Sequence, residues 1–299
     1  MEHLFDACPL AIRMASTNQV LIEGGARNIK TPRRSTSTVS QEPTLEEAWQ
    51  VLRPHWVIEP AANQLPATPF YSGLRLLLSP LLRPLLRWRI RGAHHIPRDG
   101  ATILAANHLS HVDPLAVIAA ARRTTHYLAK DGHFTNPWTR FVMRATGQIE
   151  TQREHGGNEA LSSAATILSQ GRALGIFPEG TRSKRKEAPF LLPGKTGVAR
   201  LAAAHPEATV VPLALVGTRE VMQPQHHKWP RLWRRFDVRA GQGVTWLEWL
   251  GHPNGGGVSS QQLLEIAKQD EHEIRSALGK LFRMFTDQLM GSLSELGAP

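Results

Sequence analysis

Hydrophobic positions along this chain follow two rhythms. Between 97 and 250 short apolar runs alternate with helical segments, through ATILAAN, PLAVIAAARR, THYLAK, NEALSSAATILSQ, ALGIFPEG, GVARLAAAH and ATVVPLALVGT. That alternation predicts an α/β fold around a largely buried sheet, with chemistry at the strand ends. From 46 to 96 the pattern is helical, first in LEEAWQVL and then across YSGLRLLLSPLLRPLLRWRI. A glycine-rich spacer, Gly255 to Gly257, precedes one long amphipathic helix whose stripe of Leu263, Ala267, Ile274, Leu278, Leu281, Phe285 and Leu289 is expected to pack on the core.

Residues 24–45 break both rhythms: they are basic, rich in Ser and Thr and poor in aromatics, as in disordered segments. Four regions follow: a disordered tail over 1–45, an N-terminal amphipathic helical region over 46–96, a catalytic domain over 97–250, and a C-terminal helix over 251–299. Spanning a bilayer takes roughly 20 mostly apolar residues, and here charge or proline interrupts every such window. Glu2 and Asp6 stand where a signal peptide carries basic residues. The single cysteine, Cys8, forms no intrachain disulfide, and a reducing, cytoplasmic setting is expected.

Charge narrows the partners. The chain has a formal net charge of +10, which attracts nucleic acid, anionic headgroups or phosphorylated substrates. Between Tyr71 and Arg98 lie Arg75, Arg83, Arg87, Arg89, Arg91 and Arg98 with no acidic residue, beside eight leucines and Trp88. Such a helix suits the headgroup layer, where Arg stems snorkel and anionic lipid attracts their charge. A core-packing helix with a solvated basic face has the same pattern.

Candidate chemistry sits where ATILAAN ends at Asn107 and a helix begins at Asp113-Pro114, since Asp followed by Pro marks a helix N-terminus. His108 and Asp113 are five apart and would diverge on one helix, but on a strand-to-helix turn they can face each other. A carboxylate on one imidazole nitrogen fixes the tautomer and supports the charge formed when the other nitrogen takes a proton. Asp113 as a plain helix cap is the alternative. In ALGIFPEGTRS a buried strand runs into Pro178, Glu179, Gly180, Thr181 and Arg182. Charge around a tight glycine turn after a strand suits a phosphate-holding rim, with Arg182 as the ligand; a Glu179–Arg182 ion pair is the structural alternative.

With these residues in place the chain resembles the glycerolipid acyltransferases, the family that includes lysophosphatidic acid acyltransferases. Four blocks carry the resemblance, in the family's order. Asn107-His108-Leu109-Ser110-His111-Val112-Asp113 looks like the block whose His is the general base and whose Asp orients it. Gly147 to Arg153 is similar to the second block in its leading Gly and trailing Arg, with a looser middle. Phe177 to Ser183 fits the third, where the family binds the acceptor's glycerol phosphate, and Val210 to Leu215 looks like the fourth. Lys130 and Lys195 echo lysines of the family.

The resemblance implies a mixed central sheet flanked by helices, with N-terminal helices that meet the membrane. It implies His108 and Asp113 as catalytic, and Glu179, Gly180, Thr181, Arg182, Arg153 and Lys195 as substrate-binding. The implied reaction moves a fatty acyl group from acyl-CoA or acyl-ACP to the free hydroxyl of 1-acylglycerol 3-phosphate, glycerol 3-phosphate or another lyso-lipid. No metal or other cofactor is called for. An anionic membrane surface is the expected partner, with the protein peripheral on its cytoplasmic side.

Two other classes stay in view. His108, His111 and Asp113 loosely resemble the HxHxDH zinc site of the metallo-β-lactamase fold, but the spacing is off by one and Pro114 replaces the last histidine. In KWPRLWRRF the cations Lys228, Arg231, Arg234 and Arg235 interleave with Trp229 and Trp233, a composition that nucleic acid and lipid interfaces share.

Overall fold

Runs of apolar residues with no polar alternation belong in strands covered on both faces. The computed structural model, which describes residues 42–61, 88–130, 149–151, 157–223 and 233–299 with positions 65, 68, 71 and 231, places them so. Its seven-stranded sheet comprises β1 (Trp88–Arg91), β2 (Thr102–Ala106), β3 (Thr125–Lys130), β4 (Ile149–Thr151), β5 (Ala173–Ile176), β6 (Thr209–Val216) and β7 (Phe236–Ala240), in the order β1-β7-β6-β2-β5-β3-β4. The β6–β7 pair is antiparallel and the other neighbours are parallel. The sheet is therefore mixed, and β2, β3, β4, β5 and β6 all end at one edge.

Eight α-helices complete the described chain: α1 (Leu45–Val51), α2 (Asp113–Ala121), α3 (Gly157–Ser169), α4 (Gly197–Ala204), α5 (Thr218–Val221), α6 (Trp246–Gly251), α7 (Ser260–Ala267) and α8 (Glu271–Glu295). Alternate residues of β2 point to opposite faces of the sheet. Ile103 and Ala105 join Leu174, Val210 and the helices α1, α3, α4, α6, α7 and α8 in one cluster, centred on Trp49, Trp246, Trp249 and Phe285. Leu104 and Ala106 join Val211, Leu213, Phe236 and α2 in the other. Pro212 lies where the β7 ladder gives way to the Val210–Val244 bridge, and its carbonyl accepts from Gly241 N at 2.9 Å.

The structure corrects three expectations. Trp88–Arg91 is a strand, not the end of a helix: it pairs with β7, and Trp88 packs on Phe236 at 4.9 Å between ring centroids. The sheet therefore begins before residue 97. Of the basic helix expected across 71–90, residues 72–87 lie outside the described residues, as does most of the tail. Thr44 caps α1 through a reciprocal capping box with Glu47, so helix starts at Leu45 itself. The expected single C-terminal helix is two, because Asp270 caps α8 by accepting from Glu273 N. Leu263, Ile274, Leu278, Leu281, Phe285 and Leu289 of that stripe enter the core. Among the described residues no helix is long and apolar enough to cross a membrane.

Candidate active site

At the end of β2 the chain turns into α2, and every polar residue of that turn is fixed. The buried amide of Asn107 clasps the backbone of Leu215, accepting from its N at 2.7 Å and donating to its O at 3.0 Å. Ser110 Oγ donates to Met222 O at 2.8 Å. Asp113 is the first residue of α2, fully buried, and its Oδ2 accepts from Leu109 N and Ser110 N at 2.6 Å each. The same oxygen lies 2.9 Å from His108 Nδ1. A carboxylate held by two backbone donors is acceptor-only, so the imidazole proton sits on Nδ1 and Nε2 keeps its lone pair. The His108 side chain is 17% exposed, which leaves this lone pair open to a substrate proton.

The ring has a second support. Phe177 stacks on His108 at 3.9 Å and 12° between planes, and Tyr127 stacks on Phe177 at 5.6 Å. Room for that column comes from Gly175, where a Cβ would sit 2.1 Å from the Tyr127 ring.

The loop after β5 is tied to the first loop by Glu179. Its carboxylate is buried, accepting from His108 N at 2.6 Å through Oε1 and from Leu192 N at 3.0 Å through Oε2. Ser183 N donates to His108 O at 3.0 Å, closing the junction. Burial pushes the Glu179 carboxyl up to about 7, opposed by the bonds from His108 and Leu192. Glu179 does not pair with Arg182: its oxygens accept from backbone donors, and it ties the two loops together.

The remaining residues expected to bind substrate separate into three groups. Arg182 swings to the other loop, its Nη1 against the ring nitrogens of His111. Thr181 and Lys195 are exposed, and Lys195 lies against Gly180, whose φ of +70° disfavours a side chain there. Arg153 lies outside the described residues, as do Lys228 and Trp229. Of the three groups that loosely resembled a zinc site, His108 bonds to Asp113 and His111 lies against Arg182.

Residues 87–216 match the model of a family described as Acyltransferase. These residues form an acyltransferase-family domain. The match begins one residue before β1 and ends at the last residue of β6, so β7, although it joins those two strands, falls outside it. The 1-acyl-sn-glycerol-3-phosphate acyltransferase of Bacillus subtilis is 26% identical over 130 residues, 43% of this chain and 62% of that protein. Its counterpart from Borreliella burgdorferi is 31% identical over 97 residues, 32% of this chain and 39% of that one. The chain thus spans less than two-thirds of the curated relatives it matches. The solved 1-acyl-sn-glycerophosphate (LPA) acyltransferase PlsC of Thermotoga maritima aligns over 82% of this chain and 94% of its own, at 18% identity and a TM-score of 0.44.

The acyltransferase-family domain supplies His108, Asp113, Glu179 and Arg182 together. Sequence reasoning passed over Asn107, Ser110 and Phe177 as site-builders, although all three stand inside the quoted blocks. The signal for Asn107 and Phe177 was a polar or aromatic residue directly after a buried apolar strand.

Proposed function

We propose that this protein is an O-acyltransferase that moves a fatty acyl group from a phosphopantetheine thioester, acyl-CoA or acyl-ACP, to the free hydroxyl of 1-acylglycerol 3-phosphate. One observation carries the reading: a buried, backbone-anchored carboxylate holds His108 through Nδ1, beside a rim bearing Arg182. The 1-acylglycerol-3-phosphate acyltransferases similar to the domain favour this acceptor. A single cysteine fits the reducing cytoplasm, and a net charge of +10 fits a protein peripheral on an anionic membrane.

In this mechanism the acceptor's phosphate docks on Arg182, with Lys195 on the neighbouring rim. Docking makes attack effectively intramolecular and supplies much of the acceleration. His108 Nε2 takes the hydroxyl proton as the oxygen forms a bond to the thioester carbonyl. Asp113 stabilises the imidazolium, a role worth roughly 10²- to 10⁴-fold together with the base. Collapse of the tetrahedral intermediate breaks the C–S bond, and the thiolate leaves with the proton returned from Nε2. Since the hydroxyl belongs to the substrate, the chain needs no serine nucleophile and forms no acyl-enzyme.

The deciding experiment measures thiol release from palmitoyl-CoA and from palmitoyl-ACP by the full-length protein in anionic vesicles. Lysophosphatidic acid, glycerol 3-phosphate or no acceptor is added, and wild type is compared with His108→Ala. Release that requires lysophosphatidic acid and disappears in the variant is expected. Release independent of acceptor would make the protein a thioesterase, and turnover surviving in the variant would remove His108 from the base role.

A further inference from the structure

Beyond the catalytic turn, the same edge of the sheet carries an exposed tryptophan that the acyl-transfer chemistry does not use. Trp233 is 69% exposed and is followed by the exposed Arg234 and Arg235. Topology fixes where these residues lie. Because β7 runs antiparallel to β6, with Val216 opposite Asp237, the approach to β7 stands where β6 ends. Parallel pairing of β6 with β2 (Leu213 opposite Ala106) makes that the edge bearing His108. Direct contacts close the gap: Arg231 N donates to Val221 O at 2.8 Å, and the next residue, Met222, receives the Ser110 hydroxyl.

The surroundings have one chemical character. Leu115, in the first turn of α2 two residues after Asp113, is 53% exposed. Lys184, Arg185 and Lys186 are exposed after the Arg182 loop, and the Arg219 guanidinium, 4.2 Å over the Phe190 ring, joins that stretch to α5. Glu187 and Glu220 are the acidic residues among them. Exposed cations beside a tryptophan and a leucine match the headgroup layer of an anionic bilayer, where the indole sits at the interface and aliphatic tips enter the acyl boundary. A nucleic acid would use the cations and could stack the indole, but it has no use for Leu115.

We propose that Trp233, Arg234, Arg235 and Leu115 form a docking surface for an anionic lipid bilayer, which sets the His108 edge of the sheet against the headgroups. The purpose of this surface rests on the acyl-transfer reading, whereas its existence is measured without turnover. Docked in this way, the site meets a membrane-embedded acceptor whose phosphate lies at headgroup depth, close to Arg182.

Co-sedimentation of the full-length protein with phosphatidylcholine vesicles, with and without about one-third phosphatidylglycerol, tests the proposal. Wild type is expected to bind the anionic vesicles and to be released by salt. Each arginine near such a surface contributes about fivefold, so Arg234→Gln with Arg235→Gln is expected to lower partitioning by roughly thirty-fold. Lipids brominated near the headgroup should quench wild-type tryptophan fluorescence, and Trp233→Phe should remove that component. Circular dichroism and turnover of a short-chain, water-soluble acceptor should stay at wild-type values in these variants. Variants that sediment like wild type, or a wild type that ignores anionic vesicles, would overturn the proposal. So would loss of duplex oligonucleotide binding in the arginine variant with vesicle binding intact, which would assign the patch to nucleic acid. If partitioning falls as expected but thiol release proves independent of acceptor, the docking surface stands and the acyltransferase reading fails.

Discussion

Replacing Glu179 with glutamine separates its two effects on the molecule. The side chain is 2% exposed, and each oxygen accepts one backbone N–H, from His108 and from Leu192. Glutamine keeps the size but offers an NH₂ at one end, so one buried donor loses its acceptor at a cost of about 1–3 kcal/mol. Opposing this is relief of a buried charge, since burial raises the carboxyl from 4.5 to about 7. A folded pKa above the unfolded one means that the native state holds the extra proton between those values. The stability this carboxyl contributes is therefore greatest below about pH 4.5, falls as pH rises toward 7, and is then constant; the full loss is about 3 kcal/mol. The glutamine variant has no such loss. At pH 5 wild type should be the more stable protein, and by pH 8 the two should converge or cross. Turnover at pH 8 should nonetheless fall by on the order of ten- to hundred-fold, because the peptide that carries His108 has lost its anchor. Urea unfolding followed by circular dichroism at pH 5, 6.5 and 8, together with thiol release at pH 8, reads both effects. Parallel stability curves with wild-type turnover would refute the assignment of Glu179 as the residue that ties the two loops.

Two further substitutions probe the ring support and the phosphate rim. Gly175→Ala places a methyl 2.1–2.5 Å from three atoms of the Tyr127 ring and should cost about 1–3 kcal/mol by overpacking while lowering turnover. An unchanged melting temperature and unchanged turnover would show that the aromatic column does not hold His108. Arg182→Gln removes charge-assisted bonds of about 1.5–3 kcal/mol, so KM for the phosphate-bearing acceptor should rise roughly ten- to hundred-fold with KM for the thioester unchanged. A matching rise for the thioester would move Arg182 to the donor side.

Much of the fold was legible in local pattern. The strands β2, β5 and β6 are continuous apolar runs, the Asp113-Pro114 pair marks the start of α2, and residues five apart could meet only on a turn between them. Strand β1 was hidden because its period of two, Trp88 and Ile90 half-buried against exposed Arg89 and Arg91, follows directly on a leucine-rich basic stretch that reads as helix. Its strand character depends on pairing with β7, almost 150 residues later in the sequence. The division between α7 and α8 was likewise masked by a stripe that keeps helical spacing across the break, while the Asp270 cap decides it.

The candidate site divides along the same line. Sequence alone determined which groups can move a proton and attract a phosphate, because imidazole, carboxylate and guanidinium bring those properties wherever they stand. Their partners were settled only by the folded chain. Glu179 could have paired with Arg182, and it does not because two backbone N–H groups reach it first in a buried junction. Arg182 is 71 residues from His111 and lies against it, since parallel β2 and β5 end side by side. Burial and strand order are properties of the assembled sheet, and local sequence carries no record of which donor will be nearest when water is excluded.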